Sequence, residues 1–296
     1  MDSFVTVACI QMSVGENKAD NLSKAESKVR EAALNGANIV LLQELFSGFY
    51  FCIDQKPEFF DWAESLKESS VVAKMSLLAK ELNIVLPVSF FERDGQTFYN
   101  SLVVIDADGA VLDLYRKTHI PDGPGYQEKY YFTPGNTGTK VWDTKFGRIG
   151  CGICWDQWFP ELARSLALNG AELIFYPTAI GSEPPYPDMD SKDHWQRTMQ
   201  GHAAANMTPV IAANRIGKEY GDDSFIEFYG SSFMTNETGE KIAEASRTEE
   251  TILYATYDLK AIRHERRAFG LFRDRRPEHY SAIVSGAGQT WEKYTF

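Results

Sequence analysis

Hydrophobic and polar positions change period several times along the chain, and each change marks an element. VTVACIQM and NIVLLQE are short, largely apolar runs of the kind that form buried strands, and the charged stretch between them, ending AALNGA, is amphipathic. RIGCGICWD, PELARSLALNGA and ELIFYPT repeat the order strand, helix, strand. The helical stretch of each unit ends at NGA, where Asn and Gly suit a left-handed cap, and a strand-like run follows at once. The pattern predicts one βαβ unit used twice.

Between the two units, SSVVAKMSLLAKELN reads as a helix, IVLPVSFFE as a strand, and TFYNSLVVIDADGAVLDLYRK as two alternating strands turned at DADG. After the second unit come the amphipathic stretch HWQRTMQGHAAANM, the strand PVIAANRI, a hairpin around NETGE and the strand TILYATYDL. No Ser/Pro-rich linker or low-complexity tract interrupts the series, so one α/β domain over residues 1–296 fits better than two. From Arg263 onward, RHERRAFGLFRDRRPEHY crowds arginines with aromatics and predicts an arm over about 263–296, packed on the domain or on another subunit. Glu265, Asp274 and Glu278 in the same stretch argue against a nucleic-acid arm.

Composition narrows the class. With 44% hydrophobic and 24% charged residues in 296, the chain has the balance of a globular protein with a sizeable core. The formal charge of −11 argues against a phosphate-backbone partner and is compatible with a cationic ligand. No apolar run is long enough to cross a bilayer, and MDSFVTVACIQM passes into a strand-like run without a basic leader, so a cytoplasmic protein with no membrane partner is expected. Four cysteines, Cys9, Cys52, Cys151 and Cys154, do not resemble the disulfide framework of a small secreted domain, and reduced thiols are expected.

The pair Cys151-Gly152-Ile153-Cys154 is where chemistry enters. A redox pair opens a helix, where the dipole favours a thiolate, whereas this pair closes a strand-like run whose alternation would send the two thiols to opposite faces. A zinc site needs about four ligands, and the chain has no second CxxC and no HxxxH. Two buried structural thiols remain possible, a reading that fits Cys151 better than Cys154. Cys154 falls where a strand gives way to a loop, the place where open α/β sheets put ligands and chemistry. As a nucleophile it needs a base, and a histidine from His119, His194, His202, His264 or His279 stays open as that base.

The repeat suggests another partner. NIVLLQE delivers Glu44 at the end of its strand as RIGCGIC delivers Cys154. A carboxylate leaving a buried strand is expensive unless paired or used, and Lys117, ending VLDLYRK, offers a cation. At ~4 Å and an effective dielectric near 20 the attraction is about 4 kcal/mol. A structural ion pair and a catalytic pair both satisfy that arithmetic.

Taken together, LLQELFSGFY, YRKTHIP with FTPGN, and CGICWDQWFPE resemble the Glu, Lys and Cys motifs of the nitrilase superfamily of carbon–nitrogen hydrolases. The resemblance maps the catalytic triad to Glu44, Lys117 and Cys154, and the family's second glutamate to Glu128 in GYQEKYYFTPG. It implies a four-layer αββα sandwich of two pseudo-repeated halves, no metal or cofactor, and a homo-oligomer built from dimers. It also implies that the backbone N–H of Trp155 helps Lys117 receive an oxyanion.

Within the superfamily, ICWDQWFPE, the region after PTAIGSEP and FRDRRPEHY most resemble the branch that hydrolyses N-carbamoylputrescine. Related enzymes that take carbamoyl amino acids often carry Arg soon after the Cys, where this chain has Trp158. The loop GSEPPYPDMDSKD, with Glu183, Asp188 and Asp190, reads either as a solvated acidic loop or as the wall that meets a small cationic substrate. A β-ureidopropionase, an omega-amidase or a nitrilase would keep the same triad, and a catalytically inactive binding or assembly protein would keep the fold without turnover.

Overall fold

A computed structural model describes residues 3–286. Strand β1 (Phe4–Gln11) sends Val5, Val7 and Cys9 into one buried cluster and Ala8 and Ile10 into another, so it must be covered on both faces. Helix α1 (Lys18–Leu34) starts at Asn17, whose side chain accepts from the N–H groups of Ala19 and Asp20. It returns the chain to β2 (Ile39–Leu41), parallel to β1 with Val7 opposite Ile39. Helix α2 (Ser70–Leu82) lies between the cap Ser69 and left-handed Asn83. Strands β3 (Leu86–Asp94), β4 (Thr97–Ile105) and β5 (Val111–Arg116) form an antiparallel meander joined to β2 through hydrogen bonds between Val40 and Val85 and between Val85 and Asn38. A single helical turn, α3 (Glu128–Tyr131), follows.

The second half repeats the unit. After β6 (Val141–Thr144), β7 (Gly147–Cys151) leads through α4 (Pro160–Leu168) to β8 (Leu173–Pro177), parallel to β7 with Ile149 opposite Leu173. The two unit helices stop alike: Ala37 N–H donates to Ala32 O at 3.1 Å and Ala171 N–H to Leu166 O at 3.0 Å, around Gly36 and Gly170 at φ 88° and 95°. Helix α5 (Lys192–Asn206) leads to β9 (Val210–Ala213), parallel to β8. Next comes a hairpin of β10 (Ile216–Tyr220) and β11 (Phe225–Tyr229), which the pattern does not predict because KEYGDDSFIEF mixes charges into both strands. Strands β12 (Phe233–Thr235) and β13 (Lys241–Glu244) extend the second sheet, and β14 (Thr251–Asp258) returns to pair antiparallel with β1.

The result is a four-layer αββα sandwich. One sheet runs β14-β1-β2 and continues into β3-β4-β5, and the other runs β13-β12-β9-β8-β7-β6. Val7, Leu41 and Val104 from the first meet Ile149, Phe175 and Ile211 from the second in one core. Ala25, Val29, Val72 and Met75 of α1 and α2 cover the outside of the first sheet, and Leu162, Leu166, Trp195 and Met199 of α4 and α5 cover the outside of the second.

The tail departs from expectation at its start. Arg263 lies inside helix α6 (Leu259–Phe269), capped by Asp258, with Leu259 and Ile262 buried in the intersheet core. Arg263 pairs with Glu172 at 2.6 Å, and Arg266 donates to Met207 O, Ala171 O and the Thr208 hydroxyl. These arginines fasten the helix to the second half of the domain, and the difference from the expected arm is that the packed segment begins with α6 at Leu259 and not at Arg263. Residues 287–296 of the expected arm lie outside the described residues.

Candidate active site

Glu44 and Cys154 hold equivalent places. Each lies three residues beyond a central parallel strand, β2 ending at Leu41 and β7 at Cys151. Each turn leaves the sheet through left-handed backbone, Leu45 at φ 46° and Cys154 at φ 43°. Strand alternation therefore does not place Cys154: the strand stops at Cys151, and Cys154 opens a short 3₁₀ turn, Cys154–Trp158. Cys151 is buried in the intersheet core, whereas Cys154 borders a cavity of about 430 Å³.

Lys117 follows directly on β5, and Glu128 opens α3. The Lys117 ammonium is 2.9 Å from Glu44 Oε1 and 2.6 Å from Glu128 Oε2, with all three side chains fully buried. Asn100 Nδ2 donates to Glu44 Oε1 at 2.7 Å, and the Tyr50 hydroxyl donates to Glu128 Oε1 at 2.7 Å. Glu44 Oε2 has no hydrogen-bond partner among the described residues. One carboxylate oxygen of Glu44 is thus anchored twice while the other is left to accept.

Burial pushes the Cys154 thiol well above its usual pKa, and the Glu44 carboxylate pushes further, against the pull of Lys117. A neutral thiol there needs a base at the moment of attack. Burial opposes the charge on Lys117, but Glu128 and Glu44 outweigh it and hold the ammonium protonated. Burial raises Glu128 to about 7, with Lys117 opposing. The arrangement can take a proton from sulfur, carry a cation beside the reacting carbon and return the proton.

His119, His202 and His194 are engaged elsewhere. His119 Nδ1 is 2.7 Å from Asp156 Oδ1, and its ring stacks on Phe159 at 3.6 Å. His202 Nε2 is 2.8 Å from Gln157 O, and His194 lies against Trp158. The Cys154 thiol donates to Ala179 O at 3.6 Å.

The residues expected to bind substrate separate. Trp155, Tyr126 and Glu183 border the cavity with Cys154 and Glu128. Trp158 does not line it. Its ring turns toward α5, 4.8 Å from His194, so it marks the outer helix layer and not a carboxylate position. Asp188 is exposed outside the cavity, and Asp190 is held by Arg247 at 2.5 Å and by Lys192 N–H. Of the three acids, Glu183 alone faces the thiol's cavity. It is half-buried, which raises its pKa, and the Ser191 hydroxyl reaches it at 3.4 Å.

Several residues of the site escape the sequence reading. Asn100 sits in the middle of β4 and Asp156 follows Cys154 by two; Asp156 accepts from Ile153 N–H, His119 N–H and the Tyr115 hydroxyl. Arg215 is fully buried and donates to Glu44 O at 2.6 Å. Arg215 after VIAAN is, like Glu44, a charge leaving an apolar strand, and that is the signal that could have found it.

Comparison with known proteins gives the family. The carbon-nitrogen hydrolase family profile matches residues 6–267. A protein named citrullinase from Francisella tularensis is 60% identical over 95% of this chain and 98% of its own length. One named N-carbamoylputrescine amidase from Arabidopsis thaliana is 53% identical over 96% of each. The crystal structure of a carbon–nitrogen hydrolase from Helicobacter pylori superposes with a TM-score of 0.90 at 37% identity, covering 96% of this chain and 99% of that one.

Proposed function

The chain belongs to the carbon–nitrogen hydrolase family of the nitrilase superfamily and is a hydrolase of carbon–nitrogen bonds, and from that premise we propose that it cleaves N-carbamoylputrescine to putrescine, carbon dioxide and ammonia. Glu44 Oε2 takes the thiol proton as Cys154 Sγ attacks the ureido carbon. The oxyanion meets the Lys117 ammonium and the Trp155 backbone N–H. The Glu44 carboxyl returns the proton to the leaving nitrogen, the C–N bond breaks, and a thioester remains. A water deprotonated by the same carboxylate cleaves the thioester and releases a carbamate, which breaks down to carbon dioxide and the second nitrogen product. Glu128 holds Lys117 in place throughout. A reducing compartment such as the cytoplasm suits this thiol, and that location is part of the proposal.

The observation that carries the substrate is Glu183 in the wall of the thiol's cavity. Asp122 lines it too, and no Arg or Lys is among the described lining residues. A ligand with a ureido group at one end and an ammonium at the other matches both ends. Citrulline is a second reading, favoured by the relative of that name. It differs from N-carbamoylputrescine only by a carboxylate on the carbon bearing the ammonium. That carboxylate would approach Glu183 and Asp122 without a cationic partner.

The test is kcat/KM for N-carbamoylputrescine, citrulline and N-carbamoyl-β-alanine on one enzyme preparation. We expect N-carbamoylputrescine to exceed N-carbamoyl-β-alanine by at least ~100-fold, about 2.7 kcal/mol, and to exceed citrulline as well. Glu183→Gln should raise KM for the cation with little change in kcat. A preference for citrulline would transfer the assignment to the second reading.

A further inference from the structure

Arg215 lies between β9 and β10, far in sequence from every motif residue, and is fully buried. Nη2 donates to Glu44 O at 2.6 Å and Leu45 O at 3.3 Å. Nη1 donates to Gly48 O at 3.4 Å and to Glu219 Oε1 at 2.9 Å. Glu219 in turn accepts from Tyr50 N–H, and the Tyr50 hydroxyl is the group that holds Glu128. One guanidinium and its counter-ion therefore grip the backbone from Glu44 to Tyr50, which carries the proton acceptor at one end and the support of the second carboxylate at the other.

That grip has a physical purpose. Leu45 stands at φ 46°, a conformation that is unfavourable for a non-glycine residue and persists only where neighbours over-determine it. Burying a guanidinium is expensive, and an apolar side chain would fill the space at lower cost. What an apolar side chain cannot do is bond three carbonyls of one turn at once. A planar fork does so from two nitrogens in fixed geometry and pairs with Glu219 as well, four acceptors against the three donors of an ammonium.

We propose that Arg215, with Glu219 as its counter-ion, is a positioning residue for Glu44: it fixes the turn so that the unpartnered Oε2 is aimed at the thiol proton. The proposal rests on Glu44 acting as the base.

Iodoacetamide tests it without assuming a substrate. Sulfur–carbon bond formation expels iodide, and the thiol proton passes to Glu44. Cys9, Cys52 and Cys151 are fully buried and Cys154 is 5% exposed at the cavity, so one adduct per chain reports Cys154. Intact mass spectrometry follows wild type, Glu44→Gln, Arg215→Lys and Glu219→Gln, with Cys154→Ser as the unlabelled control. We expect Arg215→Lys to reach the wild-type end-point of one adduct with a rate constant at least ~10-fold lower, of the order that misplacing a reacting group costs. An unchanged rate constant, or a lower end-point at the wild-type rate, would overturn the proposal, since a fold defect removes competent chains without slowing the rest. Should Arg215→Lys fail to fold, Glu219→Gln keeps an acceptor for Tyr50 N–H and removes the guanidinium's counter-charge; slower labelling to the full end-point supports the proposal and unchanged labelling overturns it. Glu44→Gln separates the two ideas. Wild-type labelling in that variant removes the base itself, whereas slow labelling there with normal labelling in Arg215→Lys removes the positioning role alone.

Discussion

Lys117 is held, fully buried, between two carboxylates, so its removal leaves Glu44 and Glu128 facing each other without a cation. Lys117→Ala should lower kcat by at least ~100-fold, the scale for losing one oxyanion donor, with far-UV circular dichroism unchanged. Cys154→Ser should abolish turnover. Cys151→Ser should retain it at a lower Tm, because that thiol is buried in the intersheet core away from the cavity. Glu128 connects the site to pH. Folding raises its carboxyl from 4.5 to about 7, so the folded protein holds a proton that the unfolded chain releases between those values. Its contribution to stability is full below 4.5 and lost as pH rises through about 7. Glu128→Gln removes that titration. Its Tm relative to wild type should therefore climb across this window in a thermal-shift series, and a flat difference would contradict the assignment.

Among the elements, the turn after β5 is packed closely against Gly135. Gly135 N–H donates to Lys117 O at 2.8 Å, and a Cβ at Gly135 would lie 2.0 Å from Arg116 O, a contact that only a backbone shift relieves. Gly135→Ala should displace the turn carrying Lys117, lowering Tm and costing at least ~10-fold in kcat, since small displacements of reacting groups are expensive. Gly201→Ala, at an exposed position of α5 with nothing near its Cβ, should leave activity unchanged and stabilise by up to about 1 kcal/mol. Differential scanning calorimetry and steady-state rates on the pair check both. The 3₁₀ turn behind Cys154 depends similarly on Asp156, which ties Ile153 N–H to Tyr115 on β5 and to His119 beyond it. One carboxylate thus joins the thiol's turn to the segment that carries the lysine.

At the scale of the molecule, the two halves share the core between their sheets, in addition to the cluster each buries under its own helices. Val5, Val7 and Leu41 share one cluster with Ile149, Phe175 and Ile211, and Cys9 Sγ on β1 donates to Ala212 O on β9. Denaturation followed by tryptophan fluorescence and by far-UV circular dichroism should therefore give coincident midpoints. Separate transitions would show that the halves fold independently. Leu168, Phe269, Ile283 and Val284 are exposed on or beyond α4 and α6, at 45%, 68%, 60% and 90%. These support the proposal of a dimer-based homo-oligomer, for which light scattering should read at least twice the mass of the chain. Among the described residues, no helix is long and apolar enough to cross a membrane.

What the sequence determined by itself was local. The paired NGA stops and the turn of β4 into β5 at DADG depend on neighbours a few positions away, the range at which backbone sterics and side-chain period act, whereas Glu44, Lys117, Glu128 and Cys154 were marked together by the resemblance of short motifs to a known family. Tertiary structure decided which way side chains face once segments converge. Nothing near Glu183, Asp188 or Asp190 in the chain distinguishes them, yet only Glu183 reaches the thiol's cavity, and Trp158 turns from it toward α5. Arg215 bonds a carbonyl 171 residues away, and Asn100 a carboxylate 56 away. Such bonds follow from two sheets packing face to face, a contact whose geometry the pattern of a single strand or turn does not contain.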